Sequence, residues 1–569
     1  MRASRRTDEP AGGPAGPVAP AGGWHPSGPP PPAGWPAAAG PPPAPVVARW
    51  PVLGTPAPPV SPPPAGWPAG TAGGWPASAA GGWPASTAAA PPPSPAPAPP
   101  GPARRQRSRH TGWLVASIVL LALSVVAAAG LVVAPGRIGP LLGLPVAAWG
   151  PEAPPDPPAP LLAAAPTGDA PVPSPAGVAA ALRTVLADPA LGTHTPVSVQ
   201  DVATGAQLYD RSAAGTALPA STMKLLTAVA ALTTRGPTYR ITTRVVAGAA
   251  PGEVVLVGGG DPTLAAGAAG TYPEAGRLDQ LAAQVKRALG GTAPTRVVVD
   301  DSLFSGPVYG PWAPDIPTGG FVGPITALMI DGTRTAPVGA HGAAPRSPQP
   351  DLAAGVAFAA ALGLPASAVR RGPARTGAAV LGSVQSPPVM RLVETMLTES
   401  DNVIAECLAR QVALAKGEPA TFTGGAAAVL SVLRSLGLPL EGVAVVDGSG
   451  FSRSDHVSPL LLTSLLRLVV QPAHPELRPV LSGLPVSAYS GTLRERYRKP
   501  TAGAAAAGVV RAKTGTLLGV SAIAGITVDA DGRMLTFAVM ADGVAAGATT
   551  ASQEALDRVA ATIAACGCR

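Results

Sequence analysis

Leu218–Leu232 reads LPASTMKLLTAVAAL, and the lysine in it is unusual for this chain. Lysine occurs at five positions only, 224, 286, 416, 499 and 513; with Lys and Arg together at 40, the other 35 cations are arginine. A desolvated lysine can lose its proton, whereas arginine effectively cannot. Leu225, Val229 and Leu232 recur at helical spacing, which predicts a helix beginning near Ser221. Ser221 and Lys224 then share a helix face about one turn apart. A neutral amine there can take the serine proton and make a nucleophile of a weak hydroxyl. At the helix N-terminus, the Ser221 backbone N–H can also face a developing oxyanion. Taken alone, Ser-x-x-Lys is equally what a surface helix could carry by chance.

The chain has 569 residues, 69 of them Gly and 74 Pro, with aromatics at 4%. Its length predicts at least two folded units plus accessory segments. Between Pro10 and Pro102 the sequence is low-complexity, with AGWPA at Ala33, AGWPAG at Ala65 and GGWPAS at Gly73 and Gly81. The spacing is irregular and has no apolar face, so residues 1–110 are predicted to be a disordered tail, a possible docking segment for a cytoplasmic partner. The tail carries eight arginines against Asp8 and Glu9, a surplus of +6 out of a net +8. A near-neutral body argues against nucleic-acid binding.

RRQRSRH at Arg104 precedes Gly112 to Ala134, 23 residues without a charge. That is long enough to span about 30 Å of hydrocarbon, so 112–134 is predicted to be a single transmembrane helix. Four arginines before it and only Arg137 soon after put the N-terminus in the cytoplasm and the body outside. A cleavable signal peptide would have a shorter apolar core and no hundred-residue leader. Residues 135–176, including GPEAPPDPPAP at Gly150, are expected to be an extended tether reaching on the order of 100 Å from the membrane.

From Val178 the pattern is that of a packed domain. AALRTVLADPA predicts a helix, and PVSVQDVATGAQLYDR two strands joined at Ala203, Thr204 and Gly205. ITTRVVAG, EVVLVGGGDPTL and TRVVVDDSLF are strand and turn material. VSAIAGITV and MLTFAVMAD flank Asp531 and Gly532 as a hairpin, and Leu556, Val559, Ala560 and Ile563 share one face of a last helix. The three glycines at Gly258 precede Asp261, which would repel phosphate, and predict a turn. Cys407, Cys566 and Cys568 are too few for a disulfide framework; a bridge from Cys407 to one of the other two is expected. No metal-ligand spacing is present, and neither metal nor cofactor is expected.

Two further stretches change the weight of Ser221 and Lys224. ESDNVIAECL places Ser400, Asp401 and Asn402 just before a helix, and RAKTGTLLGV places Lys513, Thr514, Gly515 and Thr516 on a strand before the hairpin. Ser-x-x-Lys, Ser-Asp-Asn and Lys-Thr-Gly, in this order, are the signature of penicillin-recognising serine enzymes. With GGGDPTL at Gly258, DDSLFSG at Asp300, GPITALMIDG at Gly323 and DGSGFSRSDHVSP at Asp447, the chain from Val178 onward resembles the class C low-molecular-mass penicillin-binding proteins, the type-4 D-alanyl-D-alanine carboxypeptidases and endopeptidases. The 179 residues from Ser221 to Ser400 imply an insertion, as in that family.

The resemblance implies an α+β fold: a β-lactamase-like catalytic domain, an antiparallel sheet with flanking helices, carrying an inserted, mostly β domain. The expected parts are 177–239 and 351–569 for the catalytic domain and 240–350 for the insertion. It also implies that Ser221 is the acylating nucleophile, Lys224 its base and Ser400 the proton relay to the leaving D-alanine. Asn402 would bind the substrate amide, and Lys513 and Thr514 its terminal carboxylate. The backbone N–H groups of Ser221 and Thr516 would form the oxyanion hole. Peptidoglycan stem peptides would be the substrate and β-lactams inhibitors. A β-lactamase-like hydrolase, or a scaffold that only binds peptidoglycan, are the alternatives.

Overall fold

A computed structural model describes residues 170–336, 342–501 and 503–568. The predicted tail at 1–110, the apolar span at 112–134 and nearly all of the tether at 135–176 lie outside the described residues. Among those residues, no helix is long and apolar enough to cross a membrane.

Ten strands form two five-stranded sheets among the described residues. The first sheet has the order β2-β1-β10-β9-β8, from β1 (Val197–Asp201), β2 (Gln207–Arg211), β8 (Arg511–Leu517), β9 (Val520–Val528) and β10 (Met534–Ala541), antiparallel throughout. The longer helices are α1 (Pro175–Val185), α2 (Lys224–Arg235), α3 (Leu278–Ala288), α4 (Pro350–Leu362), α5 (Val389–Thr398), α6 (Asn402–Lys416), α7 (Phe422–Ser435), α8 (Pro459–Val470) and α9 (Thr549–Ala564). Polar side chains set several starts: Ser174, Asp401, Thr421 and Ser458 each accept a backbone N–H of the first turn, satisfying donors a helix leaves unpaired.

Strand β9 is buried over all but its last residue, because both faces of this sheet are covered. Ala522, Ala524, Ala538 and Met540 face one core with α2, α6 and α8. Ile523, Phe537, Val539 and Ala541 face a second core with α1 and α9. The period-two alternation divides one apolar strand between two cores. The predicted hairpin, the two early strands and the apolar face of the last helix are all present as read.

The second sheet runs β6-β5-β4-β3-β7, from β3 (Arg240–Ala247), β4 (Glu253–Val257), β5 (Arg296–Asp300), β6 (Val369–Arg371) and β7 (Val380–Pro388). Two expectations are corrected here. Strand β7 pairs with β3, so the inserted sheet continues to Pro388 and the chain returns to the first sheet's layers at α5, not at 351. The insertion is mixed α/β rather than mostly β: β4, β5 and β6 are parallel, and such crossovers need helices, here α3 and α4, whose Leu281, Val285, Ala354 and Phe358 fill its core.

The expected cysteine bridge is also corrected. Cys566 pairs with Cys568, and Cys407 is a buried free thiol whose pKa burial pushes well above the ordinary thiol value. Cys407 packs with Ile325, Met329 and Phe422, whereas Cys566 belongs to the core under α9.

Candidate active site

Ser221 lies in a 3-10 turn, Ala220–Met223, that runs into α2, so the helix starts three residues later than the spacing suggests. Lys224 is completely buried. Its Nζ stands 2.8 Å from Ser221 Oγ, 2.8 Å from Asn402 Oδ1 and 2.8 Å from the Ser449 carbonyl oxygen. Burial lowers its pKa to about 8, against a partial upward pull from Asp447, Glu406, Asp401 and Asp455. A neutral amine has two N–H donors and one lone pair. Asn402 Oδ1 and the Ser449 carbonyl can only accept, so they take the two donors and leave the lone pair for the Ser221 hydroxyl.

Ser400 sits in the link from α5 to α6 with φ +57°, a conformation non-glycine residues rarely adopt and which clusters at functional sites. Its Oγ accepts from Lys513 Nζ at 2.9 Å. The neighbouring Asp401 caps α6 and holds the loop: it accepts from Ile404 N at 2.9 Å and from the Tyr272 hydroxyl at 2.7 Å, and pairs with Arg334 at 3.3 Å. Both ion-pair side chains are almost fully buried. Tyr272 and Arg334 come from the segment between the two halves of the first sheet, so the insertion anchors Ser400 and Asn402. Asp401→Ala is expected to cost about 2–3 kcal/mol, since it removes one buried acceptor shared by the Ile404 N–H, the Tyr272 hydroxyl and the Arg334 guanidinium. Denaturant unfolding measures this; a loss under about 1 kcal/mol would show that the anchor contributes little.

Asn402 begins α6. Its Oδ1 faces Lys224, and its Nδ2 donates to the Phe321 carbonyl at 3.0 Å. The Lys-Thr-Gly stretch lies on β8, an edge strand. A methyl group on Gly515 would come within 2.6 Å of the Pro219 carbonyl oxygen and 3.1 Å of Ala220 Cβ; a glycine there lets the strand lie against the Ser221 turn. On the other side, Gly450, at φ +86°, leaves no room for a methyl group against the Ala220 carbonyl.

A cleft of about 300 Å³ opens between these elements, lined among others by Ser221, Ser400, Asn402, Thr514 and Thr516. The seven residues singled out in the sequence therefore meet in one place, five of them lining the cleft and Lys224 and Lys513 buried beside it. Lys513 is fully buried and stands behind Ser400, donating also to the Thr514 carbonyl at 2.9 Å. Burial and the nearby Lys224 hold its pKa well below the ordinary lysine value. Thr514 and Thr516 line the cleft; the Thr514 hydroxyl is bonded to Thr492 Oγ1 at 2.7 Å, and the Thr516 hydroxyl accepts from Gln553 Nε2 at 3.1 Å.

Sequence reasoning missed Thr492, Gln553, Phe321 and the Ser449 carbonyl. Only the last had a local signal, the DGSGFSRSDHVSP stretch; the others arrive by tertiary contact.

Fold and cleft define the class of active-site-serine proteins in which Ser-x-x-Lys, Ser-x-Asn and Lys-Thr-Gly converge on the edge of an antiparallel sheet. Within that class the chain belongs to the D-Ala-D-Ala carboxypeptidase 3 (S13) family, which it matches over residues 178–344 and 339–563. It is 41% identical to carboxypeptidase DacB of Mycolicibacterium smegmatis over 479 residues, 82% of this chain and 99% of that one. It is also 41% identical to carboxypeptidase Rv3627c of Mycobacterium tuberculosis over 425 residues, 74% of this chain and 90% of that one. In fold it is similar to penicillin binding protein 4 of Haemophilus influenzae, with a TM-score of 0.55 at 23% identity, covering 67% of this chain and 97% of that structure.

Proposed function

We propose that the chain is a serine D,D-peptidase, a D-alanyl-D-alanine carboxypeptidase or endopeptidase acting on peptidoglycan stem peptides through an acyl-enzyme, and that penicillins acylate it. The observation that carries the reading is the desolvated Lys224 amine 2.8 Å from Ser221 Oγ. Membership of the D-Ala-D-Ala carboxypeptidase family supports the substrate class.

Ser221 Oγ attacks the carbonyl carbon of the penultimate D-alanine, and Lys224 takes the hydroxyl proton. The oxyanion faces the Ser221 and Thr516 backbone N–H groups. Ser400 relays a proton to the leaving nitrogen, the C–N bond breaks, and the amine leaves. Water then attacks the ester with the same groups in reverse order. Asn402 holds the substrate amide. Thr514 and Thr516 hydroxyls bind the terminal carboxylate, whose approach favours the charged form of Lys513 behind them.

In the cell we place this body outside the membrane, held by one helix at 112–134 and the proline-rich tether, with the 1–110 tail in the cytoplasm, where it can meet a protein partner. The arginine asymmetry around the apolar span supports that orientation.

Intact-protein mass after incubation with benzylpenicillin tests the peptidase reading. A persistent adduct that maps to the peptide containing Ser221 is expected. Rapid loss of penicillin with no lasting adduct would make the protein a β-lactamase, and neither adduct nor loss would leave only a binding scaffold.

A further inference from the structure

The catalytic scheme leaves unused a set of buried acidic groups behind Lys224. Glu406 lies one helical turn after Asn402 on α6, at i+4, and is almost fully buried. Its Oε1 accepts from the N–H of Ser449 at 2.9 Å, and both its oxygens stand 3.2 Å from the N–H of Gly448. Asp447 Oδ1 accepts from Ser449 N at 3.0 Å and Gly450 N at 2.5 Å. Its Oδ2 accepts from Ser452 N and from Trp312 Nε1, each at 2.8 Å. Three successive N–H groups thus turn toward two carboxylates, and the carbonyl of Ser449 points the other way, onto Lys224 Nζ.

That carbonyl is one of the two acceptors that orient the lysine. Asn402 supplies the other directly, so one face of α6 reaches Lys224 twice, once through Asn402 and once through Glu406 and the Ser449 peptide.

We infer that Glu406 and Asp447 are positioning residues for the base: they clamp the Gly448–Gly450 backbone so that the Ser449 carbonyl fixes the Lys224 amine with its lone pair on Ser221. This rests on the reading of Ser221 as the acylated residue.

The charges around Lys224 give the clamp a measurable signature. Asp401 faces it from the N-cap of α6 and Glu406 from the helix itself, Asp447 and Asp455 from the loop before α8, and Lys513 from β8. The Phe451 ring lies 5.9 Å from its nitrogen. Arg410 stands 3.7 Å from Glu406 and stacks on Phe422. Burial pushes Asp455 up to about 9, helped by Asp447 beside it. Burial, with Asp447 beside it, also pushes Glu406 up to about 7, so its charge is present above that pH, where the Lys224 limb lies. The ionised carboxylates raise the Lys224 pKa, and removing one lowers it and lets the base form at lower pH.

The test is the pH profile of acylation by benzylpenicillin, taken on wild type, Glu406→Gln and Asp447→Asn. Each variant keeps a side-chain oxygen as acceptor but loses the charge. The acid limb is expected to move down by about one pH unit in each variant, with the high-pH plateau falling about tenfold as the amine loses its fixed orientation. Glu406→Asp, which keeps the charge, should return the limb to its wild-type position. A limb unmoved in whichever variant folds, with only melting temperature reduced, would overturn the inference. Failure of wild type itself to be acylated would instead sink the underlying serine-peptidase reading.

Discussion

Replacing Lys224 with arginine is expected to slow acylation by benzylpenicillin about 10³-fold, and Ser221→Ala to abolish the adduct. Proton transfer by a positioned base contributes roughly 10²–10⁴-fold, and arginine keeps the positive charge while being unable to accept the serine proton. Lys224 is lowered to about 8 by burial, so the neutral, basic form dominates above that pH. The wild-type rate should therefore rise about tenfold per pH unit below 8 and flatten above it, and the residual rate of Lys224→Arg should lack that limb. Stopped-flow acylation across pH 6 to 10 decides the matter. An arginine variant within tenfold of wild type, still rising through pH 8, would remove Lys224 from the role of base.

The second large effect concerns a residue that never meets substrate. Gly450 has φ +86°, and a methyl group there would fall on the Ala220 carbonyl oxygen, at the turn that carries Ser221. Gly532, in the turn between β9 and β10, has the same φ of +86° but no atom within 4 Å of the added carbon. Both substitutions to alanine incur backbone strain of about 1–2 kcal/mol. Only Gly450→Ala must also push the nucleophile turn away from Lys224. It is expected to destabilise the protein by about 2 kcal/mol more than Gly532→Ala and to reduce acylation about 10²-fold, since small displacements of reacting groups carry such costs. Equal melting temperatures and rates for the two variants would show that the loop and the turn move apart freely.

How much of this was legible in the sequence depends on the range of the interaction. Ser221 and Lys224 are three residues apart and the β9–β10 hairpin is local, so period and turn chemistry reveal both. Ser400 and Lys513 were found because each lies in a short motif, yet nothing in the motif shows that Lys513 stands behind Ser400 rather than in the cleft. The Phe321 carbonyl on Asn402 is a backbone group from the loop after β5, and backbone groups leave no mark in composition. Glu406 was in view at Asn402 plus four, on the same helix face. Its meaning depended on the Gly448–Gly450 loop 42 residues away. The end of the insertion was misplaced at 351 because α4 reads like a helix of either domain; only the pairing of β7 with β3 decides it.

The order of the strands also bears on how the molecule comes to exist. The insertion begins with β3 and ends with β7, which lie side by side, and it has an apolar core of its own. Extending a loop of that length adds little closure entropy, so the second sheet can assemble from contiguous chain while synthesis is still under way. The first sheet cannot: Val197 on β1 must wait for Val539 on β10, and the N–H of Ser174 for the carbonyl of Cys568. The nucleophile turn therefore has no strand to rest on until β8, which begins only at Arg511, has emerged. A partly made chain can be well ordered in its middle and still be unable to react.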